Sequence, residues 1–236
     1  MPDTIASGIN VVVGSRLDRD AFFKESLLGK TLIRKPDFTR YHLYLENRIG
    51  LSTIYNLAVS EEADANRIFV FVHDDVMITD IFWEERVCAA LECFDVVGVA
   101  GTTIRHPEQP SWIFKSIDLN TNMLAREDLS NLSGRVGHGD SFPPKNISRY
   151  GPVPLQVKLL DGVMLCVKGK TLLEHALRFD EQFDFHFYDL DFCRQVEQLG
   201  LKCGTVDVSL VHKSGGNFGS GAWMMGYQKY LAKWGD

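Results

Sequence analysis

The segment "RIFVFVHDDVMITD", residues 67–80, decides how the chain is read. Ile68 to Val72 form an apolar, β-branched and aromatic run, the signature of a strand buried on both faces. The run ends in His73, Asp74 and Asp75, where the backbone leaves the sheet. Adjacent carboxylates repel, so a protein that keeps them there stabilises them with a cation or uses one of them to cap a helix or close a turn.

Working outward, "GINVVVGS" reads as a buried first strand, "AFFKESLL" as a short helix, "RYHLYLEN" as a second strand and "LSTIYNLAVSEEA" as a helix leading into Ile68 to Val72. This order, β-α-β-α-β, predicts an α/β fold with a mostly parallel central sheet, helices on both faces and ligands at the carboxyl ends of the strands. Beyond "HDDV", Asp80 is a candidate N-cap for a helix through "IFWEERVCAALECF", which delivers the chain to a buried strand, "DVVGVAG". Residues 102–154 hold most of the prolines and many glycines, and read as a loop-rich insertion with a hairpin in a single domain spanning 1–236. Regular structure resumes with one strand, "LQVKLLDGVMLCVKG", interrupted at Asp161-Gly162, and a helix at "KTLLEHAL". Alternating phenylalanines at 183, 185 and 187 precede a helix that opens near Asp189 and stops at Gly200. A last strand, "TVDVSLVH", ends in His212. The glycine-rich "KSGGNFGSG" follows, either as a closing loop or as a passive linker, and "AWMMGYQKYLAKWG" forms a terminal helix.

Composition narrows the function. With 236 residues, 45% hydrophobic and 24% charged, the chain is an ordinary globular protein. A formal net charge of −6 and the lack of any basic run argue against a nucleic-acid partner. The five cysteines show no zinc spacing and suit reduced core thiols in a cytoplasmic protein. The amino-terminal residues lack the charged and apolar regions of a signal peptide, and no stretch reaches about 18 apolar residues, so no membrane span is expected.

Four polar features stand at the ends of apolar elements: His73-Asp74-Asp75, Asp161-Gly162, Tyr188-Asp189-Leu190-Asp191 and His212-Lys213. Each has a structural explanation when taken alone. Asp75 suits a turn, Asp189 an N-cap, and Gly162 a bulge. Together at one sheet edge, two carboxylates and an imidazole make a site suited to a hard cation.

These motifs carry a resemblance. "GLSTIYNLAV", "FVFVHDDV", "LLDGVMLCVKG", "FDEQFDFHFYDLDFCRQVEQLGLKC", "VHKSGG" and "YLAKWG" are similar, in order and over most of the chain, to segments of glycosyltransferases of the GT-A fold. The similarity is greatest to the bacterial branch of the inverting, nucleotide-sugar-dependent family 2. Two positions depart from the pattern. His73 stands where the first aspartate of D-x-D belongs, and Tyr188 replaces the acidic residue before the base. The resemblance implies a divalent metal, manganese or magnesium, held by Asp75 and His212. It implies a nucleoside-diphosphate sugar along Val13, Gly14, Ser15, Arg16, Asn56, His73, Asp74, Asp161, Gly162 and Lys213. It makes Asp189 the general base that activates a hydroxyl of a glycan or another acceptor. A sugar-phosphate nucleotidyltransferase and a non-catalytic nucleotide- or glycan-binding module are the alternatives. The base, sugar, acceptor and oligomeric state, homo-oligomers included, stay open.

Overall fold

A computed structural model describes residues 8–33, 39–62 and 64–235. The first seven residues, read above as carrying no leader, and Ala63, read as the end of a helix, lie outside them. In chain order the first half contains β1 (Ile9–Gly14), α1 (Arg19–Glu25), α2 (Leu27–Leu32), β2 (Thr39–Tyr44), α3 (Leu51–Glu61), β3 (Ile68–Val72), β4 (Val76–Ile78), α4 (Trp83–Ala90), β5 (Val96–Gly98) and β6 (Ala100–Thr102). Then come β7 (Phe114–Asp118), β8 (Met123–Arg126), β9 (Leu132–His138), β10 (Asn146–Gly151), β11 (Gln156–Val157), β12 (Leu159–Leu160) and β13 (Met164–Lys168). The chain closes with α5 (Gly169–Glu174), α6 (Tyr188–Gln198), β14 (Cys203–Thr205), β15 (Leu210–His212) and α7 (Gly221–Trp234).

The larger sheet has the order β11-β14-β5-β13-β3-β1-β2. Strands β2, β1, β3, β5 and β14 share one direction, whereas β13 runs antiparallel between β3 and β5 and β11 runs antiparallel at the edge. The runs IFVFV and INVV are buried along their length, as central strands must be. A smaller sheet, β12-β6-β9-β15-β4 with β10 beside β9, packs next to it, and β7 and β8 form a separate hairpin.

Four expectations change. The long apolar run 155–169 is three strands rather than one. Only β13 reaches the centre of the larger sheet; β12 belongs to the smaller sheet, and Asp161-Gly162 marks the crossing. Likewise "TVDVSLVH" splits into β14 and β15 in different sheets. Asp80 does not cap α4: its carboxylate accepts from the Phe82 amide at 2.9 Å, and Phe82 occupies the cap position without a side-chain bond. Residues 102–154 hold four strands, β7 to β10, and β9 is the middle of the smaller sheet.

Two registers assemble the site. Val72 pairs with Met164, and the His73 amide donates to the Val163 carbonyl at 3.3 Å, which sets Gly162-Val163 beside the end of β3. Val76 pairs with His212, and the Lys213 amide donates to the Asp75 carbonyl at 3.1 Å, which sets the end of β15 beside the start of β4. The segment His73-Asp74-Asp75 is the link between the two sheets.

Candidate functional site

The adjacent aspartates serve different partners. Asp74 accepts from the Ser15 hydroxyl at 2.5 Å, at the carboxyl end of β1. Burial raises its pKa, and the Ser15 bond offsets part of that rise. Asp75 instead lies against His212, with Oδ1 3.2 Å from Nε2, while its Oδ2 accepts from the Ser214 amide at 3.2 Å. Burial alone would raise the Asp75 pKa, but His212, His73 and Ser214 reverse the effect and hold it well below the carboxylate range. Burial would likewise lower the His212 pKa, and Asp75 more than compensates, so it is raised. His73 is pushed down to about 4 by burial and by His212, and is therefore neutral.

Ligand-type atoms of His73, Asp75 and His212 all lie within 4.8 Å of one another. The buried Oδ1 of Asp75 has no well-formed hydrogen bond among the described residues. It faces the Nε2 of His212, and two acceptor lone pairs at that distance need a proton or a cation between them. These residues fit a divalent ion. The donor set is richer in nitrogen than the sequence suggested: two imidazoles and one carboxylate, with His73 in the group rather than only beside the nucleotide.

Two cavities meet here. The larger, about 1180 Å³, is bordered by Gly14, Ser15, Arg16, Asp74 and Asp75, and by the bases Arg48, Lys213 and Lys229. The smaller, about 480 Å³, is bordered by His73, His212, Asp161, Gly162 and Asp189, and by Trp112, Tyr150 and Phe218. Phe185, His186 and Asn217 line both, so the histidine-aspartate group stands at their junction.

Asp189 opens α6 but does not cap it. The cap position is Phe187, held in the left-handed region at φ 68°, with its ring packed on Trp223, Tyr227 and Tyr230 of α7. The Asp189 carboxylate accepts from the Gly162 amide and from the Leu190 amide, both at 2.9 Å. Burial first and the Asp161 carboxylate second push its pKa up to about 7, against those two amides. The helix dipole does not keep it fully ionised, contrary to what an exposed helix mouth would do. Gly162 is required by contact. A Cβ there would come within 2.5 Å of the Tyr188 hydroxyl and 2.9 Å of the Asp189 Cβ.

No protein-family model matches the chain. Among curated proteins, "ATP synthase subunits region ORF 6" of Fuscovulum blasticum is 31% identical over 153 residues, 62% of this chain. Those residues are 51% of that protein, so the chain spans about half the length of the curated relative it matches. Among solved structures, GalNAc-T7 with UDP, GalNAc and Mn2+ superposes with a TM-score of 0.57 at 11% identity, over 98% of this chain and 49% of that one. Mannosyltransferase PcManGT from Pyrobaculum calidifontis, in complex with GDP-Man and Mn2+, gives 0.50 at 13% identity, over 100% and 67%. A197 from STIV gives 0.50 at 11% identity, over 88% and 86%. The chain has the GT-A fold.

Within the GT-A fold, the sequence-derived residues divide three ways. Gly14, Ser15, Arg16, Asp74 and Lys213 border the larger cavity, Asp161, Gly162 and Asp189 the smaller, and His73, Asp75 and His212 form the group between. Two of the residues border neither cavity. Val13 is fully buried in β1 and gives its side chain to the core. Asn56 lies outside both cavities: it donates to the Phe179 carbonyl at 2.8 Å and to Glu181 at 3.0 Å, and accepts from the Phe179 amide at 3.0 Å, stitching α3 to the segment before α6. The aromatic wall of Trp112 and Tyr150 was not foreseen. The only local sign of it was the tryptophan in "HPEQPSW", inside a stretch read as loop.

Proposed function

We propose that the protein is a metal-dependent, inverting glycosyltransferase of family 2 type, transferring a sugar from a nucleoside-diphosphate sugar to a hydroxyl acceptor. The observation that carries this reading is the placement of His73, Asp75 and His212 at the junction of the cavities, with Asp189 on the smaller one. The larger cavity suits the donor. Its lining holds Arg16, Arg48, Lys213 and Lys229 beside the carboxylates Glu25, Asp74, Asp75 and Asp184, and those four cations suit a diphosphate. Ser15 and Asp74 offer polar contacts to the nucleoside. His73, Asp75 and His212 would hold the ion. What a bound divalent ion supplies there is neutralisation of the charge that grows on the leaving diphosphate. Two imidazoles favour manganese over magnesium, which prefers an all-oxygen shell.

The smaller cavity suits the acceptor, and residues 102–154 build one wall of it through Trp112, Phe114 and Tyr150. In this reading Asp189 takes the proton of the attacking hydroxyl. A base with a pKa near 7 matches that task, because about half of it is ionised at neutral pH and the ionised form is still basic enough to take the proton. Attack from the side opposite the diphosphate inverts the sugar carbon. Five free cysteines agree with a cytoplasmic setting, and no helix among the described residues is long and apolar enough to cross a membrane.

The test is diphosphate release from a panel of UDP-, GDP- and dTDP-sugars with Mn2+ or Mg2+. Manganese-dependent release that Asp75→Ala abolishes supports the proposal. Tight nucleotide binding without turnover, for every donor and with added acceptor sugars, would replace it with a binding module.

A further inference from the structure

The Tyr188 hydroxyl belongs to a side chain that is only 2% exposed, and it carries one proton. That proton goes to the Gly162 carbonyl at 2.7 Å, which can only accept. The Nε2 of His73 lies 2.8 Å from the same phenol oxygen. Since the phenol proton is committed, His73 must donate across this contact, so its Nε2 carries hydrogen. A neutral imidazole has one N–H, which leaves the lone pair on Nδ1. Phe185 stacks on the ring of His73 at 5.7 Å and 23°, leaving the ring little freedom to turn over.

We infer that Tyr188 is a positioning residue for the cation site: by accepting from Nε2–H it fixes the tautomer of His73 that offers Nδ1 to a divalent ion shared with Asp75 and His212. This rests on the metal site of the proposed function. It also joins the two departures from the acidic motifs, which lie 115 residues apart in sequence and form one hydrogen bond in the fold. A neutral chain, Gly162 carbonyl to phenol to imidazole, orients the ligand here. Partners of this kind commonly change metal affinity by about 10- to 100-fold when removed.

The test uses 15N-labelled protein and long-range 1H–15N correlation spectra of the imidazoles, with the His73 signals identified by their loss in His73→Gln. Mn2+ binding is counted on the same samples by electron paramagnetic resonance, alone and with UDP or GDP. The expected result is a single Nε2–H tautomer for His73 in the parent. In Tyr188→Phe a mixture of both tautomers is expected, with Mn2+ affinity about 10- to 100-fold weaker and a cooperative melt. An Nδ1–H tautomer in the parent overturns the inference whether or not the variant folds. So does a folded Tyr188→Phe with the parental tautomer or parental Mn2+ affinity, and in both cases the metal site itself still stands. A parent with the expected tautomer that takes up no Mn2+ in any of the mixtures overturns the metal reading and the role of Tyr188 with it.

Discussion

Asp189 is the residue on which chemistry and stability can be separated. Its carboxylate accepts from two backbone amides, Gly162 and Leu190, so Asp189→Asn keeps one acceptor and turns its NH2 towards the other donor. The variant is expected to lose about 1–3 kcal/mol of stability for the unmade bond, and sugar transfer is expected to fall by about 100- to 10,000-fold. Melting curves beside steady-state transfer rates check both, and parental turnover would remove Asp189 from the mechanism. In the proposed reaction Asp189 must be ionised to act as base, and its pKa lies at about 7, so kcat/KM at saturating Mn2+ should rise with pH through that value and level off above it. His212 sets a second pH dependence. Asp75 raises its pKa, so protons compete with the ion from a higher pH than for an ordinary histidine. Mn2+ affinity is expected to fall by up to about tenfold per pH unit below that pKa, and His212→Gln should flatten the profile in a calorimetric titration. At this scale the gathering of Asp75, Asp189 and His212 in one region was legible, because each stands at the end of a strand or the start of a helix at one sheet edge. The His73–Tyr188 contact was not, because it depends on a register between strands far apart in sequence.

Among the elements, α7 holds the first turn of α6. Its Trp223, Tyr227 and Tyr230 surround Phe187, whose left-handed backbone costs a non-glycine residue about 1–3 kcal/mol, a cost that this packing offsets. The same helix satisfies Asp191, fully buried, with Lys233 Nζ at 2.6 Å and Trp234 Nε1 at 2.9 Å. Lys233→Met should therefore destabilise the protein by about 1–3 kcal/mol, read as a shift in the urea midpoint, because it leaves a buried carboxylate short of its counter-charge. An unchanged midpoint would count against the clasp. The terminal "KYLAKWG" thus has a structural role that the sequence pattern alone did not reveal. Strands β1 and β3 were readable from continuous β-branched and aromatic runs between polar residues. Strand β4 is only three residues long and gave no periodicity to read, and β11, β12 and β13 share one apolar run whose division between two sheets is a tertiary matter.

For the whole molecule, the cation group joins the sheets: His73 follows β3 of the larger sheet, while Asp75 precedes β4 and His212 ends β15 of the smaller. An ion bound there adds RT ln(1 + [L]/Kd) to stability, about 2.7 kcal/mol at a hundredfold excess over Kd. The melting temperature should rise with Mn2+ and fall back on chelation, and Asp75→Ala should abolish the rise. The overall α/β order was legible from alternating strand and helix patterns, whereas the second sheet was not, since its strands are short and lie partly in the proline-rich stretch. Gly162 closes the assembly, with its amide on Asp189 and its carbonyl on Tyr188 and so on His73. One residue's backbone therefore lies between the group that would receive a proton and the group that would hold an ion. Linkage makes any influence between them mutual: whatever factor the ion applies to the proton affinity of Asp189, that proton applies to the affinity for the ion. In the proposed reaction, nucleophile activation and leaving-group stabilisation are then not independent settings, and a side chain placed at position 162 would disturb both at once.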